Sequence, residues 1–159
     1  MDKTIHFKLN GQNVEVTTNP LNRLLDVLRE HFKMTSVKEG CSEGECGACS
    51  VIFDGHMVTS CLIPIASVEN KEVLTLEGIN TLPLGKIITE AYADGGAVQC
   101  GFCIPGMVIA TYYLLMYNHN PSEEDCRVAI SGNICRCTGY DLIVKSMMLA
   151  AERARREIW

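Results

Sequence analysis

The run Gly40-Cys41-Ser42-Glu43-Gly44-Glu45-Cys46-Gly47-Ala48-Cys49, followed by Cys61, decides how the rest of the chain is read. Its cysteines are spaced C-x4-C-x2-C with a distant fourth, the plant-type arrangement for a 2Fe-2S cluster. Four thiolates and two bridging sulfides carry net negative charge, which a protein answers with backbone N–H groups aimed at sulfur. Gly40, Gly44 and Gly47 suit a loop that curls around such a cluster, because glycine accepts positive φ and has no Cβ to hold the donors away. A four-cysteine zinc site is the alternative. It normally pairs two C-x2-C knuckles, which this spacing does not supply.

The segments flanking this loop read as β-rich. Ile5, Phe7 and Leu9 alternate with polar neighbours, Asn10-Gly11 supplies a hairpin turn, and Val14 and Val16 restart the alternation. Asn19 as N-cap, Pro20 at the first helical position, and Leu21, Leu24, Leu25, Leu28 and Phe32 at helical spacing predict an amphipathic helix. Beyond the cysteine loop, Ser50–Phe53 and Met57–Thr59 flank Asp54-Gly55, a second hairpin signal, and Glu72–Leu76 reads as a closing strand. These elements suit a small mixed sheet with one helix across it, over residues 1–77.

From Glu77 to Gly85 the pattern loosens into Gly, Asn, Thr and Pro, and a domain boundary is expected there. Four helices are expected in residues 86–159: Lys86–Asp94, Gly106–Tyr117, Glu123–Ser131 and Asp141–Ile158. The third has Ser122 as N-cap with Glu123, Glu124 and Asp125 in its first turn; the fourth ends in Arg153, Arg155 and Arg156. Both patterns complement the helix dipole. A small helical bundle is the economical architecture.

A second cysteine constellation lies in this half: Gln99-Cys100-Gly101-Phe102-Cys103-Ile104-Pro105-Gly106 and Gly132-Asn133-Ile134-Cys135-Arg136-Cys137-Thr138-Gly139-Tyr140. Each cysteine pair precedes an expected helix, where the dipole and free N–H groups stabilise thiolates. Two such helix starts side by side would gather four sulfurs. A disulfide within Cys135-x-Cys137 would be badly strained, while zinc stays compatible with this spacing. Cys126 is left over, on the apolar face of the third helix, and reads as a buried small hydrophobe. Met107, Met116, Met147 and Met148 read as bundle core. His6, His31, His56 and His119 keep no motif with the cysteines, so a Rieske-type ligand is unsupported.

Taken together, Val37-Lys38-Glu39-Gly40-Cys41 through Cys49, Gln99 through Met107, and Gly132 through Tyr140 closely resemble the small iron-sulfur subunit of molybdenum hydroxylases, a family that includes xanthine, nicotinate and carbon monoxide dehydrogenases and aldehyde oxidoreductase. The resemblance spans essentially the whole chain, in family order and spacing. It implies an α+β chain with a ferredoxin-like β-grasp domain (1–77) followed by a four-helix-bundle domain (86–159). It implies two 2Fe-2S clusters: an outer one on Cys41, Cys46, Cys49 and Cys61 facing a flavin, and an inner one on Cys100, Cys103, Cys135 and Cys137 near the molybdenum cofactor. Gln99 and Cys137 match positions beside the pterin of that cofactor. Ile104 and Ser50 depart from the family pattern, each standing where threonine is common.

The implied function is electron transfer from the molybdenum cofactor through both clusters to FAD, during hydroxylation of a purine, an aldehyde or an N-heterocycle. No catalytic residue is expected in this chain. A large molybdopterin-binding subunit and an FAD-binding medium subunit are the expected partners, in a dimer of heteromers. A free-standing two-cluster ferredoxin is the alternative, which the helical half argues against.

Composition agrees. In 159 residues, 47% are hydrophobic and 21% charged, enough for a buried core. A net charge of -5 and no basic run beyond Arg155-Arg156 speak against nucleic acid. Met1–Pro20 has no apolar signal-peptide core, so a cytoplasmic, reducing location is expected, in which nine cysteines mean metal or redox chemistry. The uncharged stretch Gly95–Ser122 is interrupted by Pro105 and Gly106. Its helix of about 12 residues, rising ~18 Å against a bilayer core of ~30 Å, reads as buried core rather than a membrane span.

Overall fold

A computed structural model describes residues 1–159. Strands β1 (Lys3–Leu9) and β2 (Gln12–Thr18) form the first hairpin, with Ile5 opposite Val16 and Phe7 opposite Val14. Both turn residues have positive φ, 51° at Asn10 and 83° at Gly11, the backbone hand that matches strand twist in a two-residue turn. Helix α1 (Leu24–Glu30) follows, then β3 (Ser50–Phe53) and β4 (His56–Thr59) around Asp54-Gly55, then β5 (Glu72–Leu74). The five-stranded sheet has the order β2-β1-β5-β3-β4, with β1 and β5 parallel and the other pairs antiparallel.

The remaining chain is helical: α2 (Leu76–Ile79), α3 (Pro83–Asp94), α4 (Ile104–Tyr117), α5 (Glu123–Ala129) and α6 (Asp141–Glu157). The expected cap of α5 is present as a full capping box, in which Ser122 and Asp125 each accept the other's backbone N–H. No helix is long and apolar enough to cross a membrane.

Two apolar clusters organise the packing. One gathers Ile5, Phe7 and Leu9 from the sheet with Leu24, Leu25, Val27 and Leu28 of α1. The other is helical, with Ile88, Tyr92, Met107, Leu115, Ile143 and Met147 at its centre. Strand β3 serves both, since Val51 belongs to the first cluster and Ile52 to the second. Successive strand residues point to opposite faces, so Val51 joins the cluster that holds the α1 leucines while α4 packs on the other side of β3. Cys126 is fully buried in the helical cluster, its Sγ 3.6 Å from Met148 Sδ, as expected of a core thiol.

Several sequence expectations need correction. Helix α1 starts at Leu24 rather than at Pro20, because Arg23 is held extended in an antiparallel bridge to Pro64 and Leu24 N–H donates to the Ile63 carbonyl at 2.7 Å. Leu21 and Phe32 therefore lie outside it. The closing strand ends at Leu74, and the stretch 77–85, read as loop, carries most of α2 and the first turn of α3. Met107 and Met147 are core, but Met116 is 40% exposed and Met148, whose sulfur touches Cys126, is still 37% exposed at the margin of the cluster. Accordingly Met107→Ala should cost about 2–5 kcal/mol of stability. Met116→Ala should stay within about 0.5 kcal/mol, both read from denaturant midpoints followed by circular dichroism.

Candidate metal centres

The first cysteine loop turns on three residues with positive φ: Ser42 at 62°, Gly44 at 83° and Gly47 at 67°. The curl aims the N–H groups of Glu43, Glu45 and Cys46 at Cys41 Sγ, at 3.5, 3.3 and 3.4 Å. Those donors, Glu43 and then Cys46 foremost, hold the Cys41 thiol down at about 7. Cys61 lies against Cys49 in the interior, where burial and then the neighbouring thiol push it up to about 11. A side chain at Gly40 would come within 2.7 Å of Cys46 Sγ, so the glycine is required by close approach.

In the second set, Cys103 is the N-cap residue of α4, as expected. Cys135 and Cys137 are not at the start of α6, which is capped by Tyr140 at φ 72°. Local side chains hold their loop instead. The Tyr140 hydroxyl accepts the Cys135 N–H at 2.9 Å, and the Thr138 hydroxyl lies 3.1 Å from Cys135 Sγ. Burial drives the Cys135 thiol up, but its hydrogen bonds, led by Thr138, outweigh that and leave it lowered. Burial and then Cys135 push Cys103 up to about 12. Cys137 Sγ lies 3.5 Å from Cys100 Sγ, and both residues are exposed, as is Gln99.

The eight thiols thus meet as pairs: Cys41 with Cys46, Cys49 with Cys61, Cys100 with Cys137, and Cys103 with Cys135. A single zinc ion takes four converging ligands, whereas each iron of a 2Fe-2S cluster takes two from the protein. The pairing, the N–H groups on Cys41 and the close approach at Gly40 fit a two-iron cluster in the first loop. The pairing and the Thr138 contact fit a second in the other.

The two loops touch. Ile134 N–H donates to the Cys46 carbonyl at 2.9 Å, and Asn133 Nδ2 donates to the Gly47 carbonyl at 3.1 Å. These residues join the flank of the first thiol set to the flank of the second, and spacing within either motif gives no sign of it. Asn133 is 3% exposed and its Oδ1 has no partner, so it is retained at some cost. Gly106, at the start of α4, lies against the Gly47 carbonyl where a Cβ would overlap.

Comparison with known proteins shows the family. Residues 3–89 match a family described as a 2Fe-2S iron-sulfur cluster binding domain, and residues 75–148 match a second, described as a 2Fe-2S binding domain. The chain is 47% identical to the nicotinate dehydrogenase small FeS subunit of Eubacterium barkeri, over 94% of this chain and 96% of that one. It belongs to the small iron-sulfur subunits of the molybdenum hydroxylases. Within that family it is 43% identical to the xanthine dehydrogenase iron-sulfur-binding subunit of Escherichia coli, over 91% of this chain and 92% of that one. Quinoline 2-oxidoreductase of Pseudomonas putida superposes with a TM-score of 0.91 at 34% identity, covering 98% of both chains. Aldehyde oxidoreductase of Desulfovibrio desulfuricans superposes with a TM-score of 0.92 at 42% identity, covering 98% of this chain but 17% of that longer one.

In this family member the close packing at Gly106 should be intolerant of a methyl group. Gly106→Ala should lower stability by about 1–3 kcal/mol through overpacking against Gly47. The denaturant midpoint measures it, and an unchanged midpoint would mean that α4 and the first loop are not in contact.

Proposed function

We propose that this subunit carries two 2Fe-2S clusters, on Cys41, Cys46, Cys49 and Cys61 and on Cys100, Cys103, Cys135 and Cys137, and relays electrons between a molybdenum cofactor and a flavin held by other chains. The observation that carries the reading is the meeting of eight thiols as four pairs in two sets, whose loops at Cys46–Gly47 and Asn133–Ile134 are joined by hydrogen bonds. Bound there, each cluster supplies one-electron redox chemistry at a potential set by charge, hydrogen bonds to sulfur and exposure.

The chain's own residues do the rest. The N–H groups of Glu43, Glu45 and Cys46 offset negative charge at Cys41, and Thr138 does so at Cys135. Tyr140 fixes the backbone of the second loop at Cys135. Cys100 and Cys137 reach the surface beside Gln99, with Val98, Phe102 and Ile134 exposed nearby. An apolar patch around exposed thiols is surface that a partner covers. On the family resemblance, Gln99 and Cys137 are assigned to the pterin side, against a large molybdopterin-binding subunit, and their exposure is compatible with that.

A ferredoxin-like β-grasp unit over residues 1–77 and a four-helix unit over residues 86–159 are the proposed domains, the two apolar clusters supporting the division. The first loop is assigned to the side of an FAD-binding medium subunit, in a cytoplasmic dimer of heteromers. The relatives' names point to purines, aldehydes and N-heterocycles as substrates of the complex.

Iron analysis of the purified complex tests the ligand sets. Cys103→Ala should lose the second cluster and about half of this chain's iron. Cys126→Ala should keep all of it, because Cys126 is a core thiol. Iron loss in Cys126→Ala, or zinc without acid-labile sulfide in the unmodified protein, would overturn the assignment.

A further inference from the structure

Ser42 is the one residue of the first cysteine loop that adopts a left-handed backbone, φ 62°, without being glycine. Chirality makes that conformation unfavourable for a residue with a Cβ, so something must hold it. The three N–H groups that converge on Cys41 Sγ belong to Glu43, Glu45 and Cys46, all downstream of this turn. Whatever holds Ser42 therefore sets where they point.

The structure shows what that is. Ser42 Oγ donates to Glu39 Oε1 at 2.7 Å, and the same oxygen pairs with Arg23 Nη2 at 2.8 Å. Arg23 is in turn fixed by a bidentate pair with Asp26, both contacts at 2.7 Å. The backbone of Arg23 bridges Pro64, and the next residue, Leu24, bonds to Ile63, directly after the turn that carries Cys61. One arginine thus grips the segment of the last thiol with its backbone and the segment of the first thiol with its side chain. A second arginine helps, as Arg29 Nη1 donates to the Val37 carbonyl at 2.7 Å and fastens the start of the same loop to α1.

We propose that Arg23, Glu39 and Ser42 form a positioning strap that fixes the left-handed turn at Ser42, aims the three N–H groups at Cys41 and so sets the potential of the outer cluster. The inference rests on the reading that Cys41, Cys46, Cys49 and Cys61 hold that cluster. Hydrogen bonds to sulfur favour the more negative, reduced state, so slackening the strap lowers the midpoint potential. Glycine at position 42 adopts positive φ without help and makes the strap unnecessary.

The test is a redox titration of the purified complex followed by electron paramagnetic resonance, with the outer signal assigned as the one lost in Cys49→Ala. Glu39→Gln removes the charge but keeps an oxygen for Ser42 and Arg23; Glu39→Ala removes both. The outer midpoint should lie lower in Glu39→Ala than in Glu39→Gln, with the inner midpoint unchanged in both. Adding Ser42→Gly to Glu39→Ala should bring the outer midpoint back to the Glu39→Gln value. Should Glu39→Ala shed the outer iron instead, Ser42→Gly should restore it. Equal midpoints in the Ala and Gln variants, or no restoration by Ser42→Gly, would overturn the strap while leaving the ligand set intact. An unmodified complex lacking any signal that Cys49→Ala abolishes would overturn the ligand set, and the strap with it.

Discussion

Two hydrogen bonds, from Ile134 N–H to the Cys46 carbonyl and from Asn133 Nδ2 to the Gly47 carbonyl, hold the two cysteine loops against each other. Each is worth about 1 kcal/mol net. The Gly47 carbonyl also accepts from the Ser50 N–H and hydroxyl, so the contact is specified by the close approach of the two loops as much as by the bonds themselves. It forms only because Gly47 and Gly106 carry no Cβ at the point of closest approach. Every larger feature of the chain serves that meeting: the sheet carries one loop, the helices carry the other, and both converge on residues 46–47 and 133–134.

Strand β3 explains how the two halves are kept in register. Val51 completes the apolar cluster under α1, and Ile52, one residue on, completes the helical cluster under α4. A strand whose successive side chains enter different cores couples them through a single stretch of backbone, and close-packed cores resist sliding. Cys49 immediately precedes this strand and Cys61 follows β4, so the same packing that joins the halves also places two of the first loop's thiols. For an electron relay, a fixed spacing between centres is the property that packing has to deliver.

Local chemistry was legible in the sequence and long-range chemistry was not. Asn10-Gly11 and Asp54-Gly55 were readable as turns because their conformational freedom is intrinsic, and both pairs adopt positive φ. Ser122 was readable as a cap because its partner, Asp125, is three residues away. The start of α1 is not legible locally because Arg23 is drawn into a bridge with Pro64, a residue far along the chain. The stretch 77–85 looked like loop because its helix is short and includes Gly78, which packs against Asn10 where a Cβ would overlap. The cysteine spacing announced both thiol sets, yet the partners that shape them, Asn133, Tyr140, Arg23 and Glu39, act through contacts that spacing cannot encode.

The central claim is that one chain holds two redox centres at a fixed, short separation. Electron paramagnetic resonance of the fully reduced complex tests it most directly, because two nearby unpaired spins split each other's lines. Two distinct signals, each split when both centres are reduced and unsplit when only one is, are expected. A single signal, or two signals with no mutual splitting, would contradict the close contact of the loops at Cys46 and Ile134.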